Sequence, residues 1–262
     1  MDASNGDHVM RVVTEVRPQL IVNCVNAKGG TDACELDPAL AQRAHFGSAK
    51  HLVDAARAVG ARFVHISTDY VFDGQAGPYT EEDPPRPLSQ LGRAKWQAER
   101  YIREQLPDAL ILRTSSVYSW APQTTAPNFV MQLFASHRTG SPMRVPTDQV
   151  GNVTYAPNLA EALVELVDAG AAGCYHVAGT TRCSKYAWAL RVAEYFGWHA
   201  AVIQGVTTAA LGQVGPRPLE SGFRLEKVQA VLKRTRLYSL EDGLAEMERE
   251  MLQAAPSVGM HG

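Results

Sequence analysis

No stretch of this 262-residue chain stays apolar for the ~20 residues that a bilayer-spanning helix needs. Met1 to Met10 is polar and acidic, without the basic and apolar regions of a secretory signal. Cations are not in excess: 25 Lys+Arg stand against 27 Asp+Glu, so the clustered positive charge that nucleic acid or an anionic membrane requires is missing. The four cysteines (Cys24, Cys34, Cys174, Cys183) are widely spaced, form no CxxC pair and suggest no disulfide framework. Reduced thiols in a cytoplasmic protein are the expectation. The eight histidines contain no HExxH and no metal-ligand spacing. No repeat or low-complexity block occurs, which excludes solenoids.

What is present is enough apolar residue, 45% of the chain, to bury one large core. Four short aliphatic runs lack polar alternation, as strands buried on both faces do. They are Leu20-Ile21-Val22, Phe63-Val64-His65-Ile66, Ala109-Leu110-Ile111-Leu112 and Cys174-Tyr175-His176-Val177. Between them lie helical patterns over Asp37–Val59, Gly92–Glu104, Ala156–Asp168 and Ser184–Phe196, with stop glycines at Gly60 and Gly197. This alternation predicts an α/β, Rossmann-like parallel sheet with helices on both faces. We expect a single domain over 1–254, with a mostly helical substrate lobe from about 202 to 254 and no clear strand there. Residues 255–262 read as a disordered tail.

The segment with most chemical content is Ser67-Thr68-Asp69-Tyr70-Val71-Phe72-Asp73-Gly74. Hydroxyls and a carboxylate at a strand's C-terminal end sit where α/β sheets meet small ligands. Equally, such residues satisfy loose backbone donors in a strand-end turn. The following segment, Gly77 to Pro87, reads as a proline-stiffened acidic connector.

The order STDYVFDG, GPYTEEDPPRPLSQLGRAKWQAE, LRTSSVYS, PTDQVGNVT, YHVAG and RPLESGFRLEK resembles the dTDP-4-dehydrorhamnose reductase family, in the extended short-chain dehydrogenase/reductase superfamily. The regulatory β subunit of methionine adenosyltransferase is built on a similar template. The likeness runs from about Arg17 to about Glu250. It implies transfer of hydride from NADPH to the 4-keto carbon of a nucleotide-linked 6-deoxyhexose, in dTDP-rhamnose biosynthesis. A Ser/Thr, a Tyr and a Lys would handle the proton. A nearby ammonium lowers a phenol's pKa, and the hydroxyl steadies the developing oxyanion. Carried over, the hydroxyl is Thr68, the lysine is Lys95, and Asp69, Ser116 and Arg217 face the substrate. The cofactor would lie against Cys24, Val25, Asn26 and Lys95.

The sequence departs from that pattern in several places. The tyrosine position falls on Leu91, which can neither give nor take a proton, and no other Tyr has a Lys four residues on. Lys95 then reads equally as a solvated helix lysine, and Arg217 as a rim salt bridge. Neither GxGxxG nor GxxGxxG occurs, so the turn that cradles a dinucleotide's phosphates is missing. Val9 to Pro18 resembles the helix before the family's fourth strand, so the family's opening β-α-β-α-β is expected to be absent. Either the chain is a fragment whose missing half exists upstream, or residues 20–24 form an open edge able to pair with a partner chain or a second copy, or Met1 to Met10 covers that edge. Ser116 stands where the family has an aromatic residue, with Trp120 in a different register, and His45 where it commonly has Asn. Three readings follow: a reductase impaired or inactive as written, a non-catalytic nucleotide-sugar-binding or regulatory protein, or a dehydration or epimerisation enzyme on a related substrate.

Overall fold

The four apolar runs become the four strands of one parallel sheet in a computed structural model, which describes residues 1–122 and 127–254. The expected tail, 255–262, lies outside the described residues. Asn5 caps helix α1 (Gly6–Val16), accepting from the His8 amide at 3.0 Å, and Arg17 ends it in the left-handed region. Strand β1 (Leu20–Asn23) follows, then α2 (Gly30–Leu36) and α3 (Pro38–Ala41), the latter with Asp37 as cap and Pro38 in its first turn. One π-helical turn, Gln42–Gly47, leads into α4 (Ser48–Val59), which Gly60 closes at φ 71°. Strand β2 (Arg62–Thr68), helix α5 (Gln90–Gln105) and strand β3 (Leu110–Thr114) come next. Beyond them lie β4 (Val117–Tyr118), α6 (Phe129–Thr139), β5 (Met143–Pro146), β6 (Val150–Asn152) and β7 (Thr154–Tyr155). Helix α7 (Ala156–Asp168), β8 (Gly173–His176), β9 (Arg182–Ser184) and α8 (Lys185–Tyr195) follow. The chain continues through β10 (Ile203–Val206), α9 (Thr208–Leu211), α10 (Glu226–Val231) and α11 (Leu240–Ala254).

The sheet order is β1-β2-β3-β8, all parallel, with Val64 beside Leu110 and Ile111 beside Cys174. Alternate residues go to opposite faces, and both faces are covered. Ile21, Phe63, Ile111 and Cys174 pack with Val9, Val13, Leu52, Val53 and Ile102 of α1, α4 and α5. Val64, Leu110, Leu112 and Tyr175 pack with Leu159, Ala162 and Leu166 of α7 and Val228 of α10. Helix α1 lies on α4 over the first of these faces, not along β1. The outer edge of β1 carries no strand among the described residues, and Val22 is exposed there.

A second apolar cluster supports the lobe facing the strand ends. It joins Tyr118, Val130, Leu133, Val145, Trp188 and Val192 to Ile203, Leu240, Leu244 and Met247, so the segment after 202 does not build it alone. Nor is that segment free of strand: β10 pairs in parallel with β5. Only Ile203 of Ile203–Val206 is buried and Gly205 interrupts the run, which leaves no apolar pattern for sequence inspection to find.

One buried ion pair ties α5 to the sheet. Glu99 and Arg113 are almost wholly excluded from water. Arg113 donates through Nε to Glu99 Oε1 at 3.0 Å and through Nη2 to Oε2 at 2.7 Å, and Ser67 Oγ donates to Oε1 at 2.6 Å. The guanidinium also lies 5.1 Å from the Phe72 ring centroid. Removing one partner strands the other charge. Arg113→Met is therefore expected to cost about 3–5 kcal/mol. Arg103→Met, which removes a partly exposed partner of the same Glu99, should cost below about 1 kcal/mol. Urea denaturation of the two variants checks this; equal losses would contradict it.

Candidate functional site

The C-terminal ends of β1, β2 and β3 open into a cavity of about 520 Å³, walled on the far side by the second lobe. Its floor is the turn after β2. Thr68 caps that turn, its Oγ1 accepting from the Tyr70 amide at 3.2 Å and donating to Asp69 Oδ1 at 3.0 Å. Asp69 Oδ2 accepts from Ser221 Oγ at 2.6 Å. Thus the strand-end turn expected of this segment is present, and it lines the cavity. Burial raises the Asp69 carboxyl to about 6, against the Ser221 and Thr68 hydroxyls and the charge of Lys185.

Helix α5 reaches the cavity because Gly92 permits it: a Cβ there would run into the Tyr70 carbonyl oxygen. Ser89 caps the helix, accepting from the Gly92 amide at 3.2 Å. One turn apart, Leu91 and Lys95 then line the cavity. Lys95 is not a solvated surface lysine. It is buried, donating to Ile66 O at 2.8 Å and Val25 O at 3.4 Å, and so bridges the ends of two strands. Burial lowers its ammonium to about 8, with Cys24 and Glu99 opposing. Leu91 is buried with Ala27, Cys34, Ala41 and Ala94, joining α2 and α3 to α5.

Cys24, Val25, Asn26, Thr68, Asp69, Leu91, Lys95 and Ser116 therefore meet at one cavity. Ser116 sits there at φ 46°, a strained value for a residue with a Cβ. Arg217 is not among the lining residues. It pairs with Asp32 of α2 at 2.5 Å, and its neighbour Pro218 reaches the cavity instead. That ion pair engages the guanidinium that the resemblance would turn toward the substrate. Burial works against the Asp32 charge, but Arg217 and the Gly215 amide outweigh it and hold the carboxyl below the usual range.

His45 is packed, not catalytic in placement: its Nε2 lies 3.8 Å from Cys34 Sγ, and burial, then the charge of Lys95, lower it to about 3. Trp120 packs on Phe134 in the lobe and does not reach the cavity. The aromatic wall is supplied by Trp188, packed at a tilt against Tyr118 and Phe129. Sequence inspection passed over Lys185, Trp188 and Ser221. Their only signals were the Ser184 cap and the RPLESGF block.

A nicotinamide dinucleotide would need both a ribose contact and a diphosphate cradle. Lys95, with an ammonium proton beyond its two carbonyl contacts, and the walls at Cys24 and Val25 suit the ribose end. At the diphosphate end no glycine-rich turn of the GxGxxG or GxxGxxG kind is present. None of residues 1–23 lines the cavity, and the first-turn His8 amide of α1 is taken up by Asn5. Among the described residues no His/Cys/Asp/Glu group could hold a metal, and no helix is long and apolar enough to cross a membrane.

A parallel sheet with hydroxyl, carboxylate and lysine gathered at its strand ends defines a protein of the short-chain dehydrogenase/reductase type. The sequence matches the RmlD substrate binding domain over residues 1–252, and the chain belongs to that family. Agl14 of Haloferax volcanii, a probable low-salt glycan biosynthesis reductase, is 32% identical over 253 residues, 95% of this chain and 83% of that protein. The dTDP-4-dehydrorhamnose reductase of Streptomyces griseus is 35% identical over 225 residues, 83% and 72% of the two chains. Among solved structures, the dTDP-4-dehydrorhamnose reductase of Bacillus anthracis in complex with NADP superposes with a TM-score of 0.87 at 30% identity, covering 95% of this chain and 87% of that one.

The Asp69 carboxyl carries a sign that can be read in solution. Its pKa is raised in the fold, so the native state holds the proton after the unfolded chain has lost it. Stability should fall as pH rises from about 4 through 6 and level off above. The stability of Asp69→Asn relative to wild type should accordingly grow by about 1–3 kcal/mol between pH 4 and 7. Paired urea melts measure it, and a pH-independent difference would refute the assignment.

Proposed function

We propose that this chain binds a nucleotide-linked 4-keto-6-deoxyhexose of the kind handled by dTDP-4-dehydrorhamnose reductases, and that this polypeptide alone does not reduce it by the phenol-and-lysine route. The observation that carries this is Leu91. At the position one turn before Lys95, a proton source is replaced by a side chain committed to the apolar cluster with Ala27, Cys34, Ala41 and Ala94. A positioned acid contributes roughly 10²–10⁴-fold to such a reaction. The membership of the family supports the substrate class, and the cavity bounded by Thr68, Asp69 and Lys95 supports the place. NADPH would find its ribose partner in Lys95 but no diphosphate cradle, and its binding is correspondingly weak. Residues 1–254 act as one unit in this reading, since sheet and lobe each supply one wall.

The experiment is a three-way comparison on the full chain. A dTDP-sugar should raise the melting temperature through preferential binding to the folded form. NADPH titrated by fluorescence should show no saturation below the millimolar range, and a 4-keto sugar should not accelerate NADPH consumption over the blank. Leu91→Tyr by itself should leave that rate unchanged, because neither glycine pattern occurs in the sequence. Turnover by the wild type, or its appearance in Leu91→Tyr, would overturn the proposal.

A further inference from the structure

Among the described residues, the cations at or beside this cavity are, with one exception, already engaged. Arg113 is held by Glu99, Arg217 by Asp32, and Lys95 by two main-chain carbonyls. The exception is Lys185, the first residue of α8. Its amide donates to Gln149 O at 3.0 Å, which fixes its backbone, and its side chain lines the cavity. Among the described residues its ammonium has neither a hydrogen-bond acceptor nor a carboxylate within ion-pair distance. Asp69 is near enough to favour its charge, yet both Asp69 oxygens already accept from Thr68 and Ser221.

Two further residues of the cavity wall carry buried polar atoms without partners among the described residues. Trp188 lies three residues along α8, on the same side of the helix as Lys185. Its indole Nε1 is buried and unbonded. Thr114 Oγ1, at the end of β3, is likewise buried and unbonded. Buried polar atoms are rarely left unmet, and a cation facing a partly dry cavity without a counter-ion is costly. An ammonium on the cavity wall without a counter-ion asks for a negative acceptor.

We propose that the end of the cavity at the start of α8 is a subsite for an anionic oxygen of the ligand, held by Lys185. The inference rests on the reading of the cavity as a nucleotide-sugar site. Within it, the anion is either a carboxylate on the sugar unit or the diphosphate that links sugar to nucleoside. Lys185 thereby becomes a specificity-determining residue of this chain.

Calorimetric titration of the full chain with UDP-glucose, UDP-glucuronate, dTDP-glucose and UDP tests it. If the anion is a sugar carboxylate, UDP-glucuronate binds at least tenfold tighter than UDP-glucose. Lys185→Met then erases that preference while leaving UDP-glucose within threefold. If it is the diphosphate, Lys185→Met weakens UDP, UDP-glucose and dTDP-glucose alike by tenfold or more. Lys185→Arg retains most of the binding in either case. Melting of the ligand-free variants reports on folding; Lys185→Gln serves if Lys185→Met melts well below the wild type. Nucleotide sugars that bind equally well with and without the Lys185 charge overturn the subsite alone. No binding of any of the four overturns the reading of the cavity, and the subsite with it.

Discussion

Everything at the strand ends depends on how α5 is held. Leu91, Lys95 and Glu99 recur every four residues along one side of that helix, and each meets a different part of the fold. Glu99 closes a two-pronged ion pair with Arg113 and takes the Ser67 hydroxyl. Lys95 reaches past it to the carbonyls of Val25 and Ile66. Leu91 enters the apolar cluster beneath α2 and α3. The charges are buried, so their contribution to net stability is modest, but their geometry leaves the helix little room to shift. Position, more than energy, is what the ion pair supplies.

That position sets the electrostatics of the cavity. Asp69 and the hydroxyls of Thr68 and Ser221 share the cavity with Lys95 and Lys185, the first lysine engaged by carbonyls and the second without a partner among the described residues. Burial pushes the carboxyl up and both ammonium groups down, which brings acid and bases closer to neutrality than either would be in water. A ligand rich in hydroxyls and negative oxygen is the natural complement to such a surface. Leu91, one turn before Lys95, is given over to packing.

The sheet was legible in the sequence because its strands are covered on both faces, so each appears as an unbroken aliphatic run. Helix ends were legible through Ser184, Gly60 and Gly197, whose capping chemistry is local. What escaped notice depends on distant partners. Nothing near Lys95 in sequence shows that Val25 and Ile66 will turn their carbonyls toward it, and nothing near Arg217 announces Asp32. Lys185 and Trp188 look like an ordinary helix start until the lobe folds over and turns them toward the strands. The short strand β10 was invisible for a related reason: its hydrogen bonds to β5 define it, while its side chains barely alternate.

The lobe also bears on when the site comes into being. Its apolar cluster is completed by Leu240, Leu244 and Met247 of α11, near the end of the described chain. A nascent polypeptide could assemble the parallel sheet well before those residues leave the ribosome, yet it would then have only half a pocket. Ligand capture therefore waits for α11, the helix that completes the lobe.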